Sequence, residues 1–112
     1  MQSPFRNSTP DELYERFRMA GEEWARANAD ADRLEEQRKS VYGALYLHAD
    51  GKTVMERECT AYASEAYKAH VDRMVTAREL ANLAKAKLDA ARVWFEAVRS
   101  LESTRRAEMQ MK

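Results

Sequence analysis

Residues 53–112, with the sequence TVMERECTAYASEAYKAHVDRMVTARELANLAKAKLDAARVWFEAVRSLESTRRAEMQMK, contain neither glycine nor proline. Thr53 and Glu56 have the spacing of a capping box, in which two side chains accept hydrogen bonds from backbone N–H groups at the start of a helix. Small, apolar and aromatic residues, with one histidine, then recur in alternating steps of four and three, as in a coiled-coil seam. These positions are Ala63, Tyr67, His70, Met74, Ala77, Ala81, Ala84, Leu88, Ala91, Phe95 and Val98. The pattern predicts one unbroken helix over about residues 54–110.

A second long helix is predicted upstream. Thr9 suits the N-cap, Pro10 suits the first helical position, and Glu12 completes another capping box. The end is marked by Gly51, because glycine can adopt the left-handed conformation that closes a helix. The same four-three spacing occupies Leu13, Phe17, Ala20, Trp24, Ala27, Ala31, Leu34, Arg38, Val41, Leu45 and His48. These signals predict a helix over about residues 10–48.

The short turn between the two predicted helices makes them antiparallel neighbours. With the turn near residue 51, Trp24 falls opposite Ala77 and Leu34 opposite Tyr67. We therefore predict an all-α fold, in which residues 10–112 form a single coiled-coil-like hairpin of long helices.

The first nine residues, 1–9, are predicted to form a flexible N-terminal arm with Phe5 as its one anchor. Nineteen basic and nineteen acidic residues give the chain no net charge, which argues against a strongly basic nucleic-acid binder and against an acidic DNA mimic. The single Cys59 cannot form an internal disulfide, which favours a reducing cytoplasm. No leader pattern opens the chain, and the longest run without charged residues, 40–49, is too short to cross a bilayer. We predict a cytoplasmic protein without membrane contact.

Few side chains are arranged for chemistry, and the Glu-x-x-His pairs that bind metals in helical bundles are absent. His70 has no nucleophile or second acid beside it, and we interpret it as a core-edge histidine rather than a pH-sensitive or partner-binding residue. Cys59 is interpreted as a buried small hydrophobic residue. Arg38 interrupts the first seam, where it is predicted to face Ala63 and fix the register rather than bind a ligand. We predict no enzymatic activity, cofactor, metal or small-molecule substrate.

A stripe of five basic residues spaced by seven follows one side of the second predicted helix for roughly 40 Å. A nucleic-acid backbone could lie along it. Acidic residues about one turn before several of these positions favour the other reading, a solvated stripe that flanks the seam. The five residues are Arg78, Lys85, Arg92, Arg99 and Arg106.

The second predicted helix resembles small all-helical proteins of phages and prophages. The resemblance rests on the run Tyr67-x-x-His70-x-x-x-Met74-Val75-x-Ala77-Arg78-x-x-Ala81-Asn82-x-Ala84 and on Asp89, Arg92, Phe95-Glu96, Arg99 and Arg106-Ala107-Glu108-Met109. Such proteins are uncharacterised and accompany phage recombination or replication genes. The resemblance implies a phage protein in the host cytoplasm and carries over no site residue.

The two predicted helices differ in length. The first covers the second only to about Arg92, which leaves roughly 30 Å of helix uncovered. Because that part is rich in apolar residues, it is predicted to be an interface. A second copy of the chain would complete a four-helix bundle with two-fold symmetry, whereas a third helix that folds back would need a turn without glycine or proline. The residues predicted to be central to this homodimer are Trp94, Phe95, Val98 and Leu101.

The favoured function is therefore a non-enzymatic protein–protein interaction module, which acts on a component of phage DNA metabolism or on a host protein. One alternative is a nucleic-acid-binding accessory protein that uses the basic stripe. Another is an inhibitor of a host defence system, which fits the size and the phage resemblance.

Overall fold

A computed structural model describes residues 8–111, and these form three α-helices and no strand. The helices are α1, Pro10–Leu47, α2, Val54–Ala63, and α3, Glu65–Met111. Helix accounts for 91% of the described residues, which confirms the all-α prediction. Phe5 and most of the predicted arm lie outside the described residues, so its anchoring role stays a prediction. None of the described helices is long and apolar enough to cross a membrane.

Both predicted capping boxes start a helix. The Glu12 N–H donates to Thr9 Oγ1 at 3.2 Å, and the Glu12 carboxylate accepts from the Thr9 N–H at 3.4 Å. At the start of α2 the Glu56 N–H donates to Thr53 Oγ1 at 3.1 Å. The Glu56 carboxylate accepts from the Lys52 N–H at 2.7 Å, one residue upstream of the usual donor. In each case the two side chains satisfy backbone N–H groups that a helix leaves unpaired.

The prediction of one unbroken helix after the turn is wrong, because the chain leaves helical geometry at Ser64. There φ is −67° and ψ is 146°. Ser64 Oγ donates to the Ala61 carbonyl at 2.7 Å and accepts from the Tyr67 N–H at 3.2 Å. One hydroxyl therefore closes α2 and caps α3, and serine competes with the helical backbone through such local hydrogen bonds. The seam spacing continues through this position and could not reveal the break.

Residues 48–53 link α1 to α2. The prediction that Gly51 closes a helix in the left-handed conformation is wrong, because no described glycine has a positive φ. Lack of space favours glycine at this position. A Cβ there would lie 3.0 Å from both the Arg57 backbone nitrogen and Glu56 Cβ, so the first turn of α2 passes directly over the linker.

The tertiary contacts divide into two units. The first unit contains the described residues up to Ala25 together with those from Leu83 onward, and the second unit contains Arg26–Asn82. Each unit includes part of α1 and part of α3, and α2 belongs to the second.

In the second unit α1 and α3 run antiparallel, since His70 contacts Leu34 and Arg78 contacts Asn28. The predicted register, with Leu34 opposite Tyr67, is wrong by about one helical turn. The error follows from the break between α2 and α3, because the prediction counted residues along one straight helix that started at the turn.

In the first unit the two segments are also antiparallel. The ring centroids of Tyr14 and Phe95 lie 5.7 Å apart, and Lys85 Nζ lies 4.9 Å from the centre of the Trp24 ring. Trp24 is half-buried and lies beside Lys85 rather than Ala77, so the predicted register is wrong here by about two turns.

The buried core is made almost entirely of small residues. Apart from His70, the described residues that are fully buried are Leu13, Ala20, Ala31, Ala61, Ala81, Ala84 and Ala91. Alanine side chains allow helices to pack at the short end of the usual range of interaxial distances, about 8 Å. The predicted seam therefore contains five of these six alanines but misses Ala61, and its own Ala63 is exposed.

Alanine substitutions at two glycines should change stability in opposite directions. Gly43 lies inside α1, and a Cβ there would meet no atom within 4 Å. We expect Gly43→Ala to raise the free energy of unfolding by about 1 kcal/mol, because alanine is the better helix former. Gly51→Ala should lower it, because the new Cβ would crowd the backbone of Arg57. Urea unfolding followed by circular dichroism measures both, and a loss of stability in Gly43→Ala would contradict the open space seen there.

Candidate interaction surface

Phe95 is packed against α1 within the first unit. Its ring centroid lies 5.7 Å from the rings of both Tyr14 and Phe17. The guanidinium of Arg99 lies 5.8 Å from the same ring. Phe95, one of the four residues predicted to be central to a homodimer, therefore packs within the chain itself.

The other three residues lie on one face of α3. Trp94, Val98 and Leu101 are spaced by four and three, so they follow one another along the same side of a helix. Trp94 is 39% exposed and Leu101 is 61% exposed, whereas Val98 is half-buried. Met109, which is also exposed, lies two turns further along the same side. We call these four residues the C-terminal face.

The prediction that α1 covers α3 only to about Arg92 is wrong. Rings of α1 reach Phe95, and Pro10, the first residue of α1, lies about one turn beyond them. In this register only residues 100–111 of α3 have no α1 residue opposite, a length of about 18 Å. The uncovered part is shorter than predicted but still includes Leu101.

Arg78, the first residue of the predicted basic stripe, binds polar side chains of α1. Its guanidinium donates to Asn28 Oδ1 at 2.8 Å, to Asp32 Oδ1 at 2.7 Å and to both carboxylate oxygens of Glu35 at 2.8 and 2.9 Å. These hydrogen bonds, first the one with Glu35, raise the pKa of Arg78. The same contact lowers the pKa of Glu35. Two carboxylates thus balance this positive charge, and the contact joins α1 to α3 in the second unit.

The remaining four residues of the stripe lie in the first unit. Lys85 and Arg92 both pair with Asp89, at 3.4 and 3.6 Å, and Arg99 lies over an aromatic ring. Arg106 is exposed and makes no ion pair with a described residue. Most of the stripe is therefore engaged in contacts within the chain, which reduces the positive charge that it offers to phosphate groups.

His70 is a buried residue of the second unit. It is 2% exposed, and its Nε2–H donates to the Leu34 carbonyl oxygen at 2.8 Å. This confirms the interpretation of a core histidine that hydrogen-bonds a backbone group. Within residues 8–111, no group of histidine, cysteine, aspartate and glutamate side chains could hold a metal ion.

Two other interpretations are wrong. Cys59 is exposed rather than buried, because α2 turns only Ala61 into the core. Arg38 is also exposed and makes no ion pair with a described residue. Arg78 makes the polar contact between α1 and α3 instead.

A cluster of tyrosines in the second unit was not predicted. The rings of Tyr42 and Tyr62 are stacked with centroids 4.5 Å apart, and Tyr67 meets both edge-on, at 6.3 and 5.3 Å. Tyr46 joins at 6.2 Å from Tyr42. Burial, then the neighbouring Tyr62, raises the pKa of Tyr42. The signal in the sequence is that these four tyrosines lie within 26 residues of one another, on both sides of the linker.

Comparison of the chain with known protein families, with curated proteins and with solved structures finds no match. The proposal below therefore rests on the contacts, exposure and charges of this chain.

Replacing Arg78 with alanine should destabilise the protein at neutral pH and much less in acid. The pKa of Glu35 is lowered in the folded state, so its ion pair stabilises the fold above the unfolded value, about 4.3, and is lost as the pH falls through the folded value. The gap in urea midpoint between the wild type and Arg78→Ala should therefore narrow between pH 7 and pH 3. A residual gap should remain, because the hydrogen bond to Asn28 does not titrate.

Arg33→Ala is the matched control. Arg33 pairs with Asp30 inside α1 at 3.5 Å, and both side chains are about two-thirds exposed. Exposed pairs of this kind contribute little to stability, so its midpoint should stay close to that of the wild type. If Arg78→Ala behaves like this control, the contact between the helices does not stabilise the second unit.

Proposed function

We propose that this chain is a non-enzymatic protein-interaction module, built as an antiparallel helical hairpin, that forms a homodimer through the C-terminal face of α3. The observation that carries the proposal is the exposure of Leu101, on the same side of the helix as Trp94 and Val98, where α3 extends beyond α1. A contiguous apolar strip on an otherwise charged helix is typical of a protein interface.

Exposure alone does not distinguish this face, because Leu80 and Leu83 are exposed as well. Those two lie one turn apart on a part of α3 that runs beside α1, and exposed leucines are common on protein surfaces. The apolar positions of the C-terminal face instead continue beyond the last α1 residue, to Leu101 and Met109. This extension past α1 is the feature that supports an interface.

A second copy of the chain is the proposed partner because charge favours an antiparallel pair. Arg105 lies on the same side of α3 as Val98 and Leu101, so a parallel in-register pair would oppose the Arg105 side chains of the two copies. An antiparallel pair centred near residue 103 instead sets Glu102 beside Arg105 of the other copy, and Val98 beside Met109. Neither Glu102 nor Arg105 makes an ion pair with a described residue. Charged residues that flank a helical seam set partner choice and orientation in this way.

The resemblance of α3 to phage and prophage proteins supports the setting of the proposal, namely a phage protein in the host cytoplasm. Within that setting the dimer would act on a component of phage DNA metabolism or on a host protein, host defence proteins included. An alanine-rich hairpin offers such a partner the outer faces of its helices.

Replacing Leu101 with glutamate should dissociate the dimer without unfolding the chain. We expect the wild type to have the mass of a dimer in size-exclusion chromatography with light scattering at about 50 µM. Leu101→Glu should weaken the affinity of the dimer tenfold or more and so shift the protein to the monomer, as expected for an apolar interface residue. Leu83→Glu is the control, since Leu83 is equally exposed but lies outside the face. A monomeric wild type refutes self-association, and dissociation by both variants refutes the C-terminal face as its site.

A charge exchange tests the antiparallel arrangement. Glu102→Arg and Arg105→Glu should each weaken the homodimer, because each creates two pairs of like charges. An equimolar mixture of the two variants should restore a dimer, because every pair is then of opposite charge. Failure of the mixture to associate, with Leu101→Glu still dissociating the wild type, would refute the orientation and leave the face intact.

The alternative function, nucleic-acid binding through the basic stripe, is tested separately. Fluorescence anisotropy with single- and double-stranded DNA should show no binding that falls log-linearly with salt between about 50 and 200 mM. If such binding occurs and Arg92→Glu combined with Arg99→Glu and Arg106→Glu abolishes it, the alternative replaces the proposed function. Arg78 is left unchanged in this variant, because it holds α1 to α3.

A further inference from the structure

The junction between α2 and α3 depends on a single side chain. Ser64 Oγ satisfies the end of α2 through Ala61 and the start of α3 through Tyr67. Elsewhere along the two helices, from Val54 to Met111, the sequence contains no glycine or proline that would force a break. Only one residue, with ψ at 146° instead of a helical value near −42°, separates the bent chain from a continuous helix.

Few contacts hold α2 in its bent position. Ala61 is its one buried residue, and Val54 and Met55 are 62% and 73% exposed. Tyr62 stacks on Tyr42 and meets Tyr67 edge-on. A helix of ten residues is marginally stable without packing, so the docking of α2 depends mainly on the Tyr62 ring and on Ala61.

The linker would not prevent α2 from changing its direction. Arg57 Nε donates to the Gly51 carbonyl at 3.1 Å, and Thr60 Oγ1 donates to the Asp50 carbonyl at 3.3 Å. These contacts tie α2 to the linker, so the two can move together. The six residues 48–53 can span up to roughly 20 Å when extended, which leaves slack between α1 and α2.

We infer that Ser64 is a hinge with two states: the bent state described above, and a straight state in which α2 and α3 form one continuous helix. The straight state loses the serine cap and the Tyr42–Tyr62 stack. It gains the backbone hydrogen bonds that the break removes, and it lengthens α3 by about 15 Å. It also uncovers the Tyr42 ring, so the hinge controls access to the tyrosine cluster.

The hinge is tested by NMR at residue 64. In the wild type the Cα and Cβ chemical shifts of Ser64 should be those of extended backbone. Ser64→Ala removes the cap and adds a strong helix former, which should favour the straight state by roughly tenfold and move these shifts towards helical values. Ser64→Asp keeps an acceptor for the Tyr67 N–H and should stay bent.

Tyr62→Ala tests the same equilibrium from the other side. It removes the ring that docks α2 but leaves the serine cap, so it should also move the shifts of Ser64 towards helical values. In the same spectra, helical chemical shifts for the residues of α1 and α3 show that the fold is intact. The inference is refuted if residue 64 stays extended in Ser64→Ala, if residues 54–63 lose their helical shifts while α1 and α3 keep theirs, or if Ser64→Asp becomes straight.

Discussion

A core made almost entirely of alanine is the constraint on which the rest of this structure depends. Six of the seven fully buried apolar residues within the described part of the chain are alanines. Small side chains let α1 and α3 approach closely, but each removes little apolar area from water. A core of this kind brings helices together without strongly preferring one register over the next. The choice of register must therefore come from larger or polar side chains beside the alanines.

Those side chains differ between the two units. In the second unit Arg78 bridges to three side chains of α1, and His70 donates to the Leu34 carbonyl. Each of these hydrogen bonds has a fixed geometry, so a slip of one turn would break them and leave His70 buried without its partner. In the first unit aromatic rings have this role, since Phe95 lies between Tyr14 and Phe17. The narrow core also explains why large residues such as Leu83 remain exposed.

The sequence predicted what depends on local chemistry and periodicity, and missed what depends on competition between local and tertiary contacts. Both helix starts are set by adjacent residues, so the capping boxes at Thr9 and Thr53 were predicted correctly. The break at Ser64 was missed because serine is compatible with a helix and with a cap, and the seam spacing is the same in both cases. The predicted register assumed an unbroken helix after the turn, so the residues predicted to lie opposite Leu34 and Trp24 were wrong. The tyrosine cluster was missed because Tyr42 and Tyr62 lie off the predicted seam.

The weak preference of the alanine core for one register also bears on how the chain could recognise a partner. In the alanine core, side chains are too small to select one neighbouring helix over another. The C-terminal face of α3 differs, because Trp94 and Leu101 are large and Arg105 adds a charge on the same side. Large apolar side chains supply the affinity of a helical interface, and an embedded charge restricts its orientation. The end of α3 thus combines large apolar side chains with a charge on one side of the helix, and this is the reason that the proposed interface lies there and not along the alanine core.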